Sequence, residues 1–370
     1  MTRISADSIS RKAVALSLEQ YWARTLPEQG DTEFVPAQIN TFAGAGGFTL
    51  GMVAGGVLTT AGWRWVFFAP VILASLLMAV ALRVLRERGP AAQPGTAGRV
   101  RGRFDLAGAL TITGGMLLLV LGVVRAPDVP GVTTALTLAG SAALLATFVA
   151  VERRSAAPLV RLGILRSAPL VRANLGALLF VGAFVSFQFI IVLYLQELRG
   201  WSALETGLAL LVAGIDLIIA PTLTPVLVRR FGNVPMILAG MVLGVAAYAW
   251  FLGIGADWPY PMMLPGLILL GVGFAFAFGP LTIAATDDVD EAEQGLAGGL
   301  LNASVQFGGA LLLALVTAVN VIVTGDNPTP ADTLDGYRAA LLVPVGALLV
   351  GTVLTATGLR RRAEASPGTP

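Results

Sequence analysis

The sequence predicts an all-α integral membrane protein with ten spanning helices, and three observations carry that expectation. Of the 370 residues, 56% are apolar and 12% charged, and the mean hydropathy is +0.80. A soluble domain of this size cannot hide that much apolar surface. Runs of about 20 apolar residues, the length that crosses a ~30 Å hydrocarbon core at ~1.5 Å per residue, recur along nearly the whole chain. The third observation is the distribution of basic residues, which collect in cytoplasmic loops.

The spans are expected at 41–61, 64–82, 105–124, 132–151, 173–195, 203–227, 234–254, 262–284, 294–323 and 337–359. Residues 1–40 are of another kind. They carry Arg11, Lys12, Glu19, Arg24, Glu28 and Asp31 and no apolar core of a secretory signal, so they read as a cytosolic tail with one short amphipathic helix. With residue 1 inside, all of the 24 Lys and Arg residues except Arg64, Arg125, Arg199 and Arg338 fall on the inner side. A miscounted helix in the middle would scramble that partition, so both termini are expected in the cytoplasm. Lys12 is the single lysine, a bias that, with abundant alanine, fits a GC-rich bacterial genome and hence a bacterial plasma membrane.

Cysteine and histidine are absent, which removes disulfides, thiol and imidazole nucleophiles and most zinc sites. The chain has no GxxxxGK[ST] loop to cradle a nucleotide, which excludes an ATP-driven pump. No carboxylate pair or metal cluster is legible at a common site, so neither an enzyme nor a cofactor is expected. The partners expected are the lipid bilayer, a small-molecule substrate and protons as coupling ion, and no nucleic acid. The acidic turn "TDDVDEAEQ" (286–294) reads as helix capping, with Asp287, Asp288, Asp290, Glu291 and Glu293 at the positive end of the following helix. Its spacing is not that of an EF-hand loop.

Ionisable and amide groups inside spans are the candidates for the transport path. Asp216, in "LLVAGIDLIIAP", lies 13 residues from both Ala203 and Arg229, hence about 20 Å from each end at ~1.5 Å per residue. It reads either as a proton-carrying carboxyl or as a neutral acid bonded to a neighbouring helix. Asn302 and Gln306 share one helix face at i and i+4, and Gln188 is a third amide deep in a span; each serves either a cargo or an interhelical bond. Phe184, Phe187, Phe189, Phe274 and Phe276 offer an apolar lining or a face to lipid.

Gly47, Gly51 and Gly55 fall at i, i+4 and i+8, with Gly56 beside the last, a stripe that lets another helix approach closely. The stripe ends in "GWRWVFFAP" (62–70), and here the chain resembles helices five and six of the fourteen-helix drug:proton antiporters of the major facilitator superfamily, the EmrB/QacA type. Their antiporter motif GxxxGPxxGG is matched by Gly47, Gly51, Gly55 and Gly56, with Met52 in place of the proline. "FDLAGALTITGG" (104–115) resembles the opening of helix seven, and "VLYLQELRGWSALETGLALL" (192–211) the junction of helices nine and ten. "GFAFAFGPLTIAA" (273–285) and "GLAGGLLNASVQFGGALLLA" (295–314) are similar to helices twelve and thirteen, where the family has Asn and Gln at the places of Asn302 and Gln306 and an arginine where Val305 stands. The loop "PVLVRRFG" (225–232) departs from the family's "GRLVDRFG": Pro225 replaces the glycine and Arg229 the acid.

The resemblance, over about 41–360, implies a partial major facilitator fold, helices five to fourteen, with helices one to four of the family not in this sequence. The cytosolic tail read at 1–40 matches no part of the family, and the resemblance implies two helices of a first bundle at 41–84, loops and two extra linker helices at 85–172 and a second six-helix bundle at 173–360, with a tail at 361–370. It implies secondary active transport, proton-coupled efflux of drugs or other small organic molecules; the alternative is a truncated, non-transporting fragment or partner subunit. Single cysteines placed at Asp128, Asp257 and Asp332 of this Cys-free chain are expected to react with a membrane-impermeant thiol reagent from outside, and one at Gly95 only after permeabilisation; external labelling at Gly95 overturns the orientation.

Overall fold

The computed structural model describes residues 53–87, 105–155, 158–161, 163–286 and 293–365, together with Gly47, Gly51 and Val289. The expected tail over 1–40, most of the first half of the 41–61 span, the arginine-rich stretch 88–104, and Asp287, Asp288, Asp290 and Glu291 lie outside the described residues.

Among the described residues there is no strand, and nine helical segments are long and apolar enough to cross a membrane. Helix α1 is the described end of the first expected span, 53–61, followed by α2 (Arg64–Glu87). Helices α3 (Leu106–Val124) and α4 (Gly131–Glu152) form a hairpin. Then come α5 (Ala168–Leu193), the short helices α6 (Ala203–Leu210), α7 (Asp216–Thr222) and α8 (Thr224–Phe231), and the long helices α9 (Asn233–Phe251), α10 (Tyr260–Thr286), α11 (Gln294–Thr324) and α12 (Pro330–Ala365).

Local chemistry sets several boundaries. Asp105 caps α3 by accepting the Gly108 N–H at 2.7 Å, and Ser167 caps α5 through the Leu170 N–H. Ser202 and Glu205 form a capping box at α6, as Thr329 and Asp332 do for α12. Gly232, with φ +88°, turns the chain between α8 and α9. Helix α12 continues to Ala365, so residues 361–365 extend the helix where a tail is expected. Glu293 makes no capping bond at the start of α11; it pairs with Arg161 at 3.0 Å and ties the 158–166 connection to that helix.

Helix α5 is the axis of the bundle. It packs against α10, α11 and α12, and Phe180, Phe187, Ile190 and Ile191 along it are fully buried. A π turn, Tyr194–Leu198, carries it beyond the expected end at 195. There the Tyr194 hydroxyl donates to the Gly255 carbonyl at 2.7 Å, and Arg199 donates to the Trp258 carbonyl at 2.6 Å, closing this end of the bundle. Helix α2 is the opposite case: none of its residues over 64–83 is buried.

Glycines decide how closely the helices meet. A Cβ at Gly240 of α9 would stand 2.5 Å from the Gly273 carbonyl oxygen of α10, and one at Gly273 would stand 2.9 Å from the Gly240 oxygen. A Cβ at Gly182 of α5 would reach the Gly308 oxygen of α11 at 2.5 Å, and one at Gly308 would run into the Leu178 backbone. These are backbone-to-backbone contacts, which no side-chain rotation relieves. The hydroxyl of Ser304 adds a bond to Asn174 Oδ1, 3.1 Å, across the same α5–α11 seam.

Gly240→Val and Gly308→Val are each expected to destabilise the detergent-solubilised protein by at least about 1–3 kcal/mol, the usual cost of overpacking. Gly346→Ala, in an open helical position, is expected to be neutral or to stabilise by up to about 1 kcal/mol. Thermal unfolding of the three variants checks this.

Candidate transport site

Asp216 is set in an interrupted span. The sequence predicts one helix over 203–227; instead α6 gives way to a 3₁₀ stretch, Leu211–Ile215, before α7, and a turn at Leu223 separates α7 from α8. The cause is in the residues: Gly214 lowers helical preference, and Pro221 and Pro225 supply no N–H and crowd the preceding turn. A 3₁₀ stretch in the middle of a helix is a strained or hinge-like feature.

Three ties hold this segment on α10. The Tyr260 hydroxyl donates to the Ala209 carbonyl at 2.8 Å, the Thr224 hydroxyl donates to the Ala275 carbonyl at 3.1 Å, and between them the Ala213 carbonyl sits where a Cβ on Gly271 would be. Asp216 lies between the second and third of these, with 7% of its surface exposed. Neither ion pair among the described residues involves it.

The other candidates are spread out. Gln188 is buried in α5, 8% exposed. Asn302 and Gln306 share an exposed face of α11, turned away from the Ser304 and Gly308 positions that meet α5. No hydrogen bond joins Asp216, Asn302 and Gln306 to one another among the described residues. Of the aromatics, Phe187 is core, packed against Tyr248 and Phe251 with ring centres 4.9 Å away in both cases. Phe274 stands between Phe184 at 4.7 Å and Phe278 at 5.1 Å, a column between α5 and α10. Phe189 and Phe276 are half-buried.

The glycine stripe is contacted at one end. A Cβ at Gly56 would stand 3.0 Å from the Ala203 carbonyl oxygen at the start of α6, while nothing among the described residues lies within 4 Å of the same position on Gly47, Gly51 or Gly55. Asn174, Ser304, Thr224 and Tyr260 are absent from the sequence-based candidates. They are single polar groups on apolar helices whose partners lie on other helices, and the pairing has no signal in spacing.

The sequence signature of the Major Facilitator Superfamily matches residues 35–313. The chain belongs to the major facilitator superfamily. This major facilitator protein is 32% identical over 350 residues to the lincomycin resistance protein of Streptomyces lincolnensis, covering 93% of this chain and 68% of that one. It is 32% identical to the puromycin resistance protein of Streptomyces alboniger, covering 88% and 66%, and 30% identical to the tetracenomycin C resistance and export protein of Streptomyces glaucescens, covering 75% and 51%. The chain thus spans between half and about two thirds of the length of these curated relatives. The first match extends beyond the 41–360 stretch in which the resemblance was legible.

Thr224→Val and Tyr260→Phe each remove one tie to α10 and leave a buried carbonyl without its donor. Each is expected to cost about 1 kcal/mol of stability, measured by thermal unfolding in detergent.

Proposed function

We propose that this protein takes part in the export of small organic molecules across the bacterial plasma membrane as a proton-coupled secondary transporter of the fourteen-helix type, with both termini in the cytoplasm. The observation that carries the reading is the buried carboxyl of Asp216 at a mid-span break. Transporters place substrate and ion sites at such breaks near the membrane centre. The three curated relatives named as resistance or export proteins support the direction of transport. On this reading, residues 41–84 belong to a first bundle, 85–172 to the linker and its two helices, and 173–360 to a second bundle. Asp216 is the proton-responsive group, Gln188 an amide of the same bundle interior, and Asn302 and Gln306 present their exposed face to the substrate path. Gly56 seats the first-bundle helix against the start of α6, and Gly47, Gly51 and Gly55 keep its open face free for close packing by another helix.

A second reading rests on the share of its relatives that the chain covers. Alternating access needs two bundles rocking about a common site. A chain with two helices of the first bundle acts only together with the remaining four, in one polypeptide or as a partner subunit. Resistance to lincomycin, puromycin and tetracenomycin C, with and without a co-expressed four-helix first-bundle segment, separates the two readings in a drug-sensitive bacterium. Asp216→Asn keeps the size and removes the charge, and is expected to flatten the pH dependence of efflux at unchanged protein abundance. Efflux by this variant with an unaltered pH profile overturns the proton role.

A further inference from the structure

The bundle is closed differently at its two ends. Where α5 stops, three carbonyls of the α9–α10 connection are each held by a side chain from another element. The Tyr194 hydroxyl donates to Gly255 at 2.7 Å, Arg199 to Trp258 at 2.6 Å and Arg338 Nε to Ile254 at 2.9 Å. Tyr194 and Ile254 are buried, and two of the three donors are charged, which makes this clasp strong.

Where α5 and α11 start, the closure is a strap, residues 158–161 and 163–166, on the way from α4 to α5. It is fastened in three places. The Leu159 N–H donates to Glu152 Oε1, on the last residue of α4, at 3.2 Å. Arg161 pairs with Glu293, directly before α11, at 3.0 Å. Ile164, in a 3₁₀ turn, joins Leu170 of α5 and Ala297 of α11 in one apolar cluster, with Val160 and Leu300 packed against it. Glu293 caps no helix N–H, so its carboxylate is left to the strap.

The strap is thus the first rung of the α5–α11 seam, followed by the Ser304–Asn174 bond and then the backbone contact of Gly182 with Gly308. The rungs tighten with depth. The ion pair stands open to water, with 71% of the Arg161 side chain and 27% of the Glu293 side chain exposed. Pairs of that kind are weak and are screened by salt.

We propose that the strap is a latch. With Arg161 on Glu293 it holds the start of α11 against the start of α5; when the pair is released, the seam opens from this end as far as the Ser304–Asn174 bond, while the clasp at the other end stays shut. Because Leu159 is anchored on Glu152, the latch also joins α11 to the α3–α4 hairpin, so that a load on the hairpin reaches the bundle through Arg161.

The test places one cysteine in this Cys-free chain, either at Ala297, beneath the strap, or at Ile254, within the clasp; both positions are buried. Reaction with N-ethylmaleimide is followed in the purified full chain in detergent, at about 0.1 M salt, where the screening length is about 10 Å. Both cysteines are expected to react slowly. Adding Arg161→Gln is expected to speed the reaction of Ala297→Cys about two- to fivefold, the range open to an exposed pair, and to leave Ile254→Cys unchanged. Arg161→Lys is expected to keep the slow rate, and the exchange Arg161→Glu with Glu293→Arg to restore it. Salt at about 1 M, with a screening length of about 3 Å, is expected to speed Ala297→Cys while Arg161 is present and to add nothing in Arg161→Gln. A rate at Ala297→Cys that Arg161→Gln leaves unchanged overturns the latch. So does an equal rise at Ala297→Cys and Ile254→Cys, which means that the whole bundle loosens. Should Ala297→Cys fail to fold, Leu300→Cys, half-buried in the same cluster, is read in its place against the same outcomes.

Discussion

Direct contact of one helix backbone with another, at Gly182 and Gly308 and again at Gly240 and Gly273, is the constraint on which the arrangement of this bundle rests. Lipid tails solvate leucine as well as a neighbouring helix does, so apolar character alone cannot choose partners for a membrane helix. Close approach can, because dispersion and weak polar contacts between backbones depend steeply on distance. The α5–α11 contact fixes the bundle axis, and the α9–α10 contact fixes the helix on which the Asp216 segment is seated. The aromatic column between α5 and α10 fills the space left where no glycine allows contact.

The interrupted span shows a different use of the same resource. A helix with Gly214, Pro221 and Pro225 cannot satisfy its own backbone throughout, and unsatisfied groups in a membrane interior are costly. Helix α10 supplies what is missing from Tyr260 and lends its own carbonyl at Ala275 to Thr224. The acid at 216 is thereby carried on a segment whose local irregularity is stabilised from outside. Gly271 permits the contact by presenting no side chain at Ala213.

Much of this was legible from the residues. The spans from 64 onward stand close to where the apolar runs place them, because twenty residues without charge have few alternatives in lipid. The family was legible in Gly47, Gly51, Gly55 and Gly56 and in "FDLAGALTITGG", where order along the chain adds to each motif. The break at 211–215 was not, since a glycine and two prolines occur in many continuous membrane helices and the deciding contact with Gly271 is tertiary. Nor was the role of Glu293, whose place before a helix suggests a cap, while the partner it finds is Arg161, far back in the chain. The exposed placement of Asn302 and Gln306 follows from the rotation of α11, which Gly308 and Ser304 set, and single-helix periodicity says nothing of that rotation.

The three ties between α10 and the Asp216 segment bear on how such a protein would change over generations. Because the Tyr260 hydroxyl, the bare Cα of Gly271 and the Ala275 carbonyl hold the backbone that carries the acid, a substitution at Tyr260 or Gly271 acts on the seat of the carboxyl without altering its chemistry. Variation can therefore accumulate on α10, remote from the charge itself, and a lineage can diverge in how the acid is placed while the acid itself is inherited unchanged.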